Sequence, residues 1–259
     1  MLEWINISIL PVFLLIFARV LSFFIIMPLF SYRTIPTQFK VGFSLFLTFI
    51  VYYTVDLSNF VLDETFLLLL LKEILVGLLI GLIAYIILSA VKIAGGFIDF
   101  QMGFAIANVV DPQTGAQSPI IGQYFYIIAL LFLLMVNGHH LIIDGIVNSY
   151  QFVPIDAYIP FANESIVNYV ITIFNQMFII AFQIAIPIVG CLFLVDVALG
   201  IIARTVPQLN VFVVGLPLKI FVSFAALLFF MSLYVVLVKK LFEFMFETMR
   251  GLMQLFGGA

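Results

Sequence analysis

The sequence predicts an all-α, polytopic membrane protein made of helical hairpins with broken or re-entrant helices. Of its 259 residues, 65% are apolar and only 9% are charged, and the mean hydropathy is +1.32. Soluble domains are nearer to half apolar and one quarter charged. Six apolar stretches read as membrane helices, and they occupy about residues 9–30, 41–55, 65–91, 120–138, 166–195 and 211–238.

Short loops join these stretches, which predicts a single membrane-embedded domain over residues 1–259. A helix needs roughly 20 residues to cross a hydrocarbon core, so 41–55 is short for a crossing. The stretch 166–195 is long enough to tilt or kink, and Pro187 gives a reason for a kink. The tail, about residues 239–256, alternates at helical period. It is predicted to be an amphipathic helix, either on the membrane surface or against a partner subunit.

Composition and motifs exclude several classes of function. The net charge is −3 and the basic residues are scattered, which argues against nucleic-acid binding. The only histidines are His139 and His140. His140 and Asp144, one helical turn apart, come nearest to a metal site, but the sequence offers no third ligand. No nucleophile with a nearby base and no phosphate-binding glycine loop stands out. We therefore expect a protein that is not an enzyme and that needs neither metal nor cofactor.

The basic residues give only a partial topology. Arg33, Lys92 and Arg204 alternate as cytoplasmic loops should. Lys219 and the pair Lys239–Lys240, however, flank only about 19 apolar residues, which is too few for two crossings. A simple six-span topology therefore fails, and broken or re-entrant helices are expected.

A polar segment, Gly95 to Gly122, interrupts the apolar chain. Its sequence, GGFIDFQMGFAIANVVDPQTGAQSPIIG, contains two acids, two prolines and five glycines. Non-helical backbone cannot face hydrocarbon, because each unpaired peptide group there costs several kcal/mol. The segment is therefore expected to pack against protein or to line a wet cavity, and it is the first candidate for a functional site.

Charged residues also fall inside apolar stretches. Arg19 lies midway along the first stretch, and Asp196 closes the fifth. A charge at such depth costs at least a few kcal/mol unless it is paired or hydrated. Glu73 and Asp99 are both candidate partners for Arg19. A structural ion pair, an interior cavity and a proton relay all remain open.

Two uncharged patterns favour close helix contacts. Gly77 and Gly81 form a small-xxx-small face, which suits either internal packing or a dimer. A second face, polar and small, suits either packing against other helices or an aqueous path. Its residues are Asn168, Thr172, Gln176, Gln183, Pro187 and Gly190.

The sequence resembles the FliR family of type III export-gate membrane proteins, which includes flagellar members and injectisome counterparts. The resemblance covers essentially the whole chain. It rests on the segment from Gly95 to Gln123, on Arg19 with Pro28, Pro36 and Lys40, on NGHH at 137–140, and on RTVPQLNVFVVGLPLK at 204–219. Only the closeness of the match separates a flagellar from an injectisome system.

The resemblance implies a non-enzymatic core subunit of the flagellar export gate, through which unfolded flagellar subunits are secreted during flagellum assembly. It places the chain in the bacterial cytoplasmic membrane, at the flagellar basal body. The implied partners are FliP-like and FliQ-like gate subunits, FlhB-like and FlhA-like export components, unfolded export substrates and membrane lipid. A small-solute or ion secondary transporter is the alternative, and it would show interrupted helices at matching positions of two halves.

The resemblance also assigns the polar segment to the plug that closes the pore, the other reading being a fixed structural loop. Bulky apolar side chains seal a pore by excluding water, while glycine lets the backbone bend and proline limits its states. The predicted plug and gating residues are Phe97, Met102, Gly103, Phe104, Ile106, Asp111, Pro112, Gly115, Pro119 and Gly122. The residues predicted as buried charges or assembly contacts are Arg19, Asp99, Asp196, Arg204, Gln208 and Asn210.

Overall fold

The structure, a computed structural model, describes residues 9–32, 34–55, 65–104, 109–110, 117–157, 164–206, 208 and 210–257. Helices dominate this part of the chain, which confirms the all-α prediction, and two short strands pair beside them. The elements are α1 (Ile9–Ile26), α2 (Thr37–Tyr52), α3 (Phe66–Met102), β1 (Val109–Val110), β2 (Gln117–Ser118), α4 (Ile120–Met135), α5 (Gly138–Phe152), α6 (Glu164–Thr205) and α7 (Val211–Phe256).

Three described helices, α3, α6 and α7, are long and apolar enough to cross a membrane. The pair α4 and α5 bends by 74° and makes a fourth span if it is counted as one. Asn137 stands at this bend with φ +57°, a left-handed conformation that asparagine tolerates better than most residues. The chain is therefore a multi-pass membrane protein with a broken helix, as the sequence predicts.

The helices α6 and α7 extend well beyond their predicted ends. α6 runs through Pro187 to Thr205, and α7 runs through Pro217 to Phe256. The tail 239–256 is therefore the last part of α7 and not a separate helix. Its apolar face is buried within the folded chain, and whether the remaining surface meets the membrane or a partner subunit stays a prediction. The buried residues of that face are Leu241, Phe242, Met245, Met249, Leu252 and Phe256.

Contacts along the chain divide it into two compact units. The first comprises Met1–Ile87, Asn137–Ile173 and Phe244–Ala259, and the second comprises Leu88–Val136 and Phe174–Glu243. Each unit has its own core.

The first unit is built on the contact between α1 and the first half of α3. A Cβ added to Gly77 would collide with the carbonyl of Arg19 and the side chain of Ser22. At Gly81 an added Cβ would lie 3.0 Å from the carbonyl oxygen of Phe23. The small-xxx-small face thus serves packing within the chain, because only glycine lets the two backbones approach this closely.

The second unit packs the second half of α3 against α4, and α4 against α7. Gly95 and Gly122 face each other so closely that a Cβ on Gly95 would collide with the Gly122 backbone. The rings of Phe125 and Tyr234 stack with centroids 4.4 Å apart. The Tyr234 hydroxyl donates a hydrogen bond of 2.6 Å to the backbone carbonyl of Phe125. This core brings together the two ends of the polar segment.

Candidate functional site

The polar segment leaves α3 at Gly103. This residue has φ +87°, a conformation that side chains with a Cβ rarely adopt. A Cβ at this position would also lie 3.0 Å from Cδ1 of Leu216 on α7. The backbone turn therefore favours glycine here, and a larger residue would also force the Leu216 side chain to shift by a few tenths of an ångström.

The segment rejoins the helices at the first turn of α4, which Asp99 holds. Pro119 is the N-cap residue of α4 and offers no side-chain cap. The Asp99 carboxylate supplies one from α3, because it accepts the Ile121 N–H at 3.1 and 3.3 Å. Asp99 is only 3% exposed, and a carboxylate is favoured at the positive end of a helix. Of the two candidate partners for Arg19, Asp99 therefore has another role.

Between these ends, the strands β1 and β2 pair antiparallel. Val109 lies opposite Ser118 and Val110 lies opposite Gln117. The described parts of the polar segment are thus held by the turn at Gly103, by Asp99 at the start of α4, and by this pairing. Four predicted plug residues, Ile106, Asp111, Pro112 and Gly115, lie outside the described residues.

The described plug candidates differ in exposure. Phe97 is 42% exposed, whereas Met102 is fully buried in the core. Phe104 and Pro119 are half-buried, and Gly122 is buried. Phe100, which the sequence analysis did not single out, is 75% exposed. Phe100 follows Phe97 by three residues, on the face of α3 opposite Ile98 and Met102. This helical spacing is the sequence signal that could have predicted its exposure beside Phe97.

Asp196 lies beside the entry of the segment and joins three helices. Its Oδ2 accepts a hydrogen bond of 2.8 Å from Nε2 of Gln101 on α3. Its Oδ1 forms an ion pair with Nζ of Lys219 on α7. The side chains of Lys219 and Asp196 are 23% and 35% exposed. A cavity of about 360 Å³ adjoins the pair, lined by Leu199, Gly200, Val211, Gly215 and Leu216.

This ion pair explains the failed topology count. The positive-inside rule treats a lysine as a free charge at a membrane surface. Lys219 is instead neutralised by Asp196 within the α6–α7 hairpin. It therefore carries no information about which side of the membrane this end of α7 faces.

Three residues predicted as buried charges or assembly contacts are exposed in this chain. They are Arg204, Gln208 and Asn210, which all lie at the connection between α6 and α7, where the rest of the chain leaves their side chains uncovered. Asn210 accepts a hydrogen bond of 3.4 Å from the Val213 N–H and so helps to begin α7. Their predicted role as buried charges or assembly contacts therefore stays a prediction.

In the first unit, Arg19 is fully buried and paired with Glu73. Arg19 Nε lies 2.5 Å from Glu73 Oε2, and Nη2 lies 2.8 Å from Oε1. The guanidinium also donates to Ser149 Oγ at 3.0 Å and to the Val153 carbonyl at 2.8 Å. It lies 4.0 Å from the ring centroid of Tyr150. Such a fork-to-carboxylate pair is geometrically specific and strong.

A second cation, Lys72, belongs to the same network. Its Nζ lies 2.8 Å from Glu73 Oε1. It also donates to three backbone carbonyls of the chain after α5, those of Pro154 at 2.9 Å, Ile155 at 2.7 Å and Ala157 at 3.1 Å. Lys72 is only 5% exposed. The sequence does not predict this role, because a lysine near the start of α3 is also what an exposed charge at a helix end would look like.

The histidines do not form the arrangement that a metal site needs. The rings of His139 and His140 lie 4.2 Å apart. Asp144 accepts a hydrogen bond of 2.9 Å from Asn148 Nδ2. Within the described ranges, no three His, Cys, Asp or Glu side chains are grouped as metal ligands.

The polar face of α6 points away from the rest of the chain. Asn168, Thr172, Gln176 and Gln183 are exposed, while the opposite face is buried at Ile173, Met177, Ile184 and Ile188. The Thr172 hydroxyl donates to the carbonyl of Asn168 at 2.8 Å. The helices of this chain therefore do not cover the polar face.

Comparison with known proteins gives a consistent picture. The family described as Bacterial export proteins, family 1, matches residues 10–245. The chain is 55% identical over 253 residues to the flagellar biosynthetic protein FliR of Bacillus subtilis (strain 168), covering 97% of this chain and 98% of that protein. It is 27% identical over 256 residues to the protein of the same name from Escherichia coli (strain K12), covering 96% and 93%. It is 29% identical over 208 residues to Yop proteins translocation protein T of Yersinia pestis, covering 79% and 80%.

Proposed function

The chain belongs to the bacterial export proteins of family 1, and on that premise we propose that it is the FliR-type subunit of a flagellar type III export gate. The observation that carries this conclusion is the 55% identity to a flagellar biosynthetic protein over nearly the full length of both chains. The lower identity of 29% to a translocation protein favours the flagellar over the injectisome system. The relatives give no support to the transporter alternative.

In this function the polar segment is the plug, and the subunit works without catalysis. The two ends of the segment are set by Gly103 and Asp99, and β1 pairs with β2 between them. Phe97 and Phe104 supply apolar surface near its entry, which is the kind of surface that closes a pore by excluding water.

The partners in this proposal are the other components of the export apparatus: FliP-like and FliQ-like subunits around the pore, and FlhA-like and FlhB-like proteins on the cytoplasmic side. The polar face of α6 supports the first pair. Exposed amides of Asn168, Gln176 and Gln183 would be costly against lipid tails, because lipid offers them no hydrogen bonds. Another membrane protein satisfies them at that face.

The apolar faces of α6 and α7 fit the same arrangement. In the most apolar 18-residue segment of α6, only 28% of the residues are buried within the chain, and in that of α7 only 22%. The exposed apolar residues of α6 form a second stripe that suits a neighbouring helix or lipid: Val167, Ile171, Phe174, Phe178, Phe182 and Ile186.

The complex resides in the bacterial cytoplasmic membrane, at the flagellar basal body.

The proposal is tested by deleting the gene for this chain in its host and restoring it from a plasmid. The expected result is loss of secreted flagellar subunits and of motility, both recovered on restoration, with solute uptake unchanged. Normal flagella in the deletion strain, or loss of uptake of a small solute, would contradict the proposal.

A further inference from the structure

The helix α2 carries polar side chains on its inner side and apolar side chains on its outer side. It packs against α1 within the first unit, and its buried residues are Ser44, Leu47, Thr48 and Val51. The Thr48 hydroxyl donates a hydrogen bond of 2.7 Å to the carbonyl of Ser44. The exposed apolar residues, up to the residue that caps the helix, are Phe39, Leu45, Phe46, Phe49, Ile50 and Tyr53. A continuous apolar face of this kind is not suited to water.

The residue types on this face indicate lipid and not another helix. Helix–helix contacts in membranes are enriched in glycine, alanine, serine and threonine, because small side chains let two backbones approach closely. α2 buries Ser44 and Thr48 within its own unit, and beyond its first turn Gly42 is the one small residue on the outer side. Phe46 is 61% exposed and Phe49 is 57% exposed. Bulky, uncharged side chains of this kind suit the acyl chains of phospholipids.

The two ends of α2 complement the polar surfaces of a lipid bilayer. Lys40 stands in the first turn and is partly buried. Within the described ranges, its ammonium group forms no ion pair and no hydrogen bond. The phosphate of a lipid headgroup supplies a negative charge for it. At the other end, Tyr53 is 73% exposed, and tyrosine is enriched where a membrane meets water.

The distance between these two ends is short for a bilayer. From Lys40 to Tyr53 the helix rises about 20 Å, whereas the hydrocarbon core of a bilayer is about 30 Å thick. The neighbouring helix α1 is also short, with 18 residues. A short apolar helix is accommodated by local thinning of the bilayer, which favours lipids with shorter acyl chains.

We propose that the outer face of α2 is a lipid-binding surface that crosses a locally thinned bilayer and selects phospholipids with short acyl chains and an anionic headgroup. The acyl chains lie along Phe46, Phe49 and Ile50, and the headgroup phosphate lies at Lys40. The proposal requires only that the chain is embedded in a membrane, so its failure would leave the proposed function as it stands.

The first test identifies what covers this face in the assembled protein. Phe46 and Phe49 are replaced, one at a time, by the photoreactive analogue p-benzoyl-phenylalanine in the host, and the complex is cross-linked in its own membrane. Mass spectrometry is expected to find phospholipid adducts at both positions. The same analogue at Gln176, on the exposed polar face of α6, is the comparison and is expected to cross-link to protein.

The second test measures the preference for chain length. The complex with the analogue at Phe46 is reconstituted in vesicles that hold equal amounts of 14-carbon and 18-carbon phosphatidylglycerol. The 14-carbon adduct is expected to exceed the 18-carbon adduct about threefold, because the shorter lipid matches the length of the helix. The ratio of the two free lipids, measured in the same vesicles, is the control.

The third test measures the role of Lys40. The analogue is placed at the exposed Phe39, in vesicles with equal amounts of phosphatidylglycerol and phosphatidylcholine of one chain length. The anionic lipid is expected to be favoured about fivefold, the usual effect of one lysine near a membrane surface. Lys40→Gln should remove this preference. Lys240→Gln, at an exposed lysine of α7, is the control and should preserve it.

Three results would overturn the proposal. Protein adducts in place of lipid adducts at Phe46 and Phe49 would show that a partner subunit covers the face. Lipid adducts without a preference for the shorter chain would show that α2 lies flat on one surface of the bilayer and does not cross it. Equal adducts of the two headgroups with Lys40 present would remove the phosphate site.

Discussion

Arg19 and Glu73 form a two-pronged ion pair in which neither side chain is exposed to solvent. Ser149 Oγ and the carbonyl of Val153 each accept a further N–H of the guanidinium, so the pair ties α1 to α3 and to the end of α5. A buried charge network is stabilising only when all of its members are satisfied. The first unit therefore has a fixed electrostatic centre, in contrast to the half-exposed pair of Asp196 and Lys219.

Replacing Arg19 with Leu should destabilise the first unit. The change leaves Glu73 with Lys72 as its one cation and leaves the Val153 carbonyl unpaired, and breaking a buried pair in this way costs about 3–5 kcal/mol. We expect a lower yield of the purified complex and a lower melting temperature. Arg250→Leu is the control, because Arg250 is an exposed arginine of the same unit. Equal yield and melting temperature for the two variants would show that the Arg19 network contributes nothing to stability.

Replacing Lys72 with Met should loosen the chain that follows α5. Three backbone carbonyls, those of Pro154, Ile155 and Ala157, lose their shared donor. The Pro154 carbonyl keeps a hydrogen bond of 3.3 Å from the Ala157 N–H, so the main cost falls on the carbonyl of the buried Ile155. Each unsatisfied buried group costs about 1–3 kcal/mol. Hydrogen exchange should rise in residues 153–157 while α6 keeps its protection. The exposed Lys239 provides the control, Lys239→Met, which should leave exchange in this region as it was. Unchanged exchange in Lys72→Met would rule out this anchoring role.

Gly103→Ala should alter closure of the gate without preventing assembly. The residue has φ +87°, and a Cβ would lie 3.0 Å from Leu216 Cδ1, so the change costs about 1–2 kcal/mol of local strain. We expect a raised ion current with normal complex yield. Gly42→Ala is the matched control, because a Cβ there meets nothing within 4 Å and the position is helical. If both variants conduct alike, the turn at Gly103 does not set the position of the segment.

Alanine substitutions at Met102 and Phe97 should distinguish a core residue from a plug residue. Met102 is fully buried, so Met102→Ala should destabilise the protein by about 2–5 kcal/mol through the cavity that it leaves. Phe97 is 42% exposed, so Phe97→Ala should have little effect on stability and should raise ion current. Thermal unfolding and bilayer current are measured on both variants. A stable but leaky Met102→Ala complex would place Met102 in the plug and not in the core.

The sequence predicts the helical membrane fold because its long apolar runs reach the length of about 20 residues that a helix needs to cross a membrane. It also shows that Arg19 needs a partner, since a charge in an apolar run must be paired or hydrated. It could not choose between Glu73 and Asp99, because both are carboxylates at plausible depth. Only the packing of Gly77 against α1 places Glu73, and not Asp99, beside Arg19.

Other features depend on contacts that leave no local pattern. The tail 239–256 has the same helical period whether its apolar face meets a membrane surface or its own chain, and Met249 and Leu252 are in fact buried. Lys219 reads as a topology signal until its pairing with Asp196 is known. Met102 and Phe97 are both bulky and apolar in sequence, and their different exposure follows from the direction in which α3 presents each side chain.

The most direct test of the central claim is native mass spectrometry of this chain, tagged and purified from the membranes of its host in mild detergent. The expected result is one copy bound to several copies of two other small hydrophobic proteins, of FliP-like and FliQ-like mass. A stable monomer or homodimer without such partners would contradict the export-gate assignment.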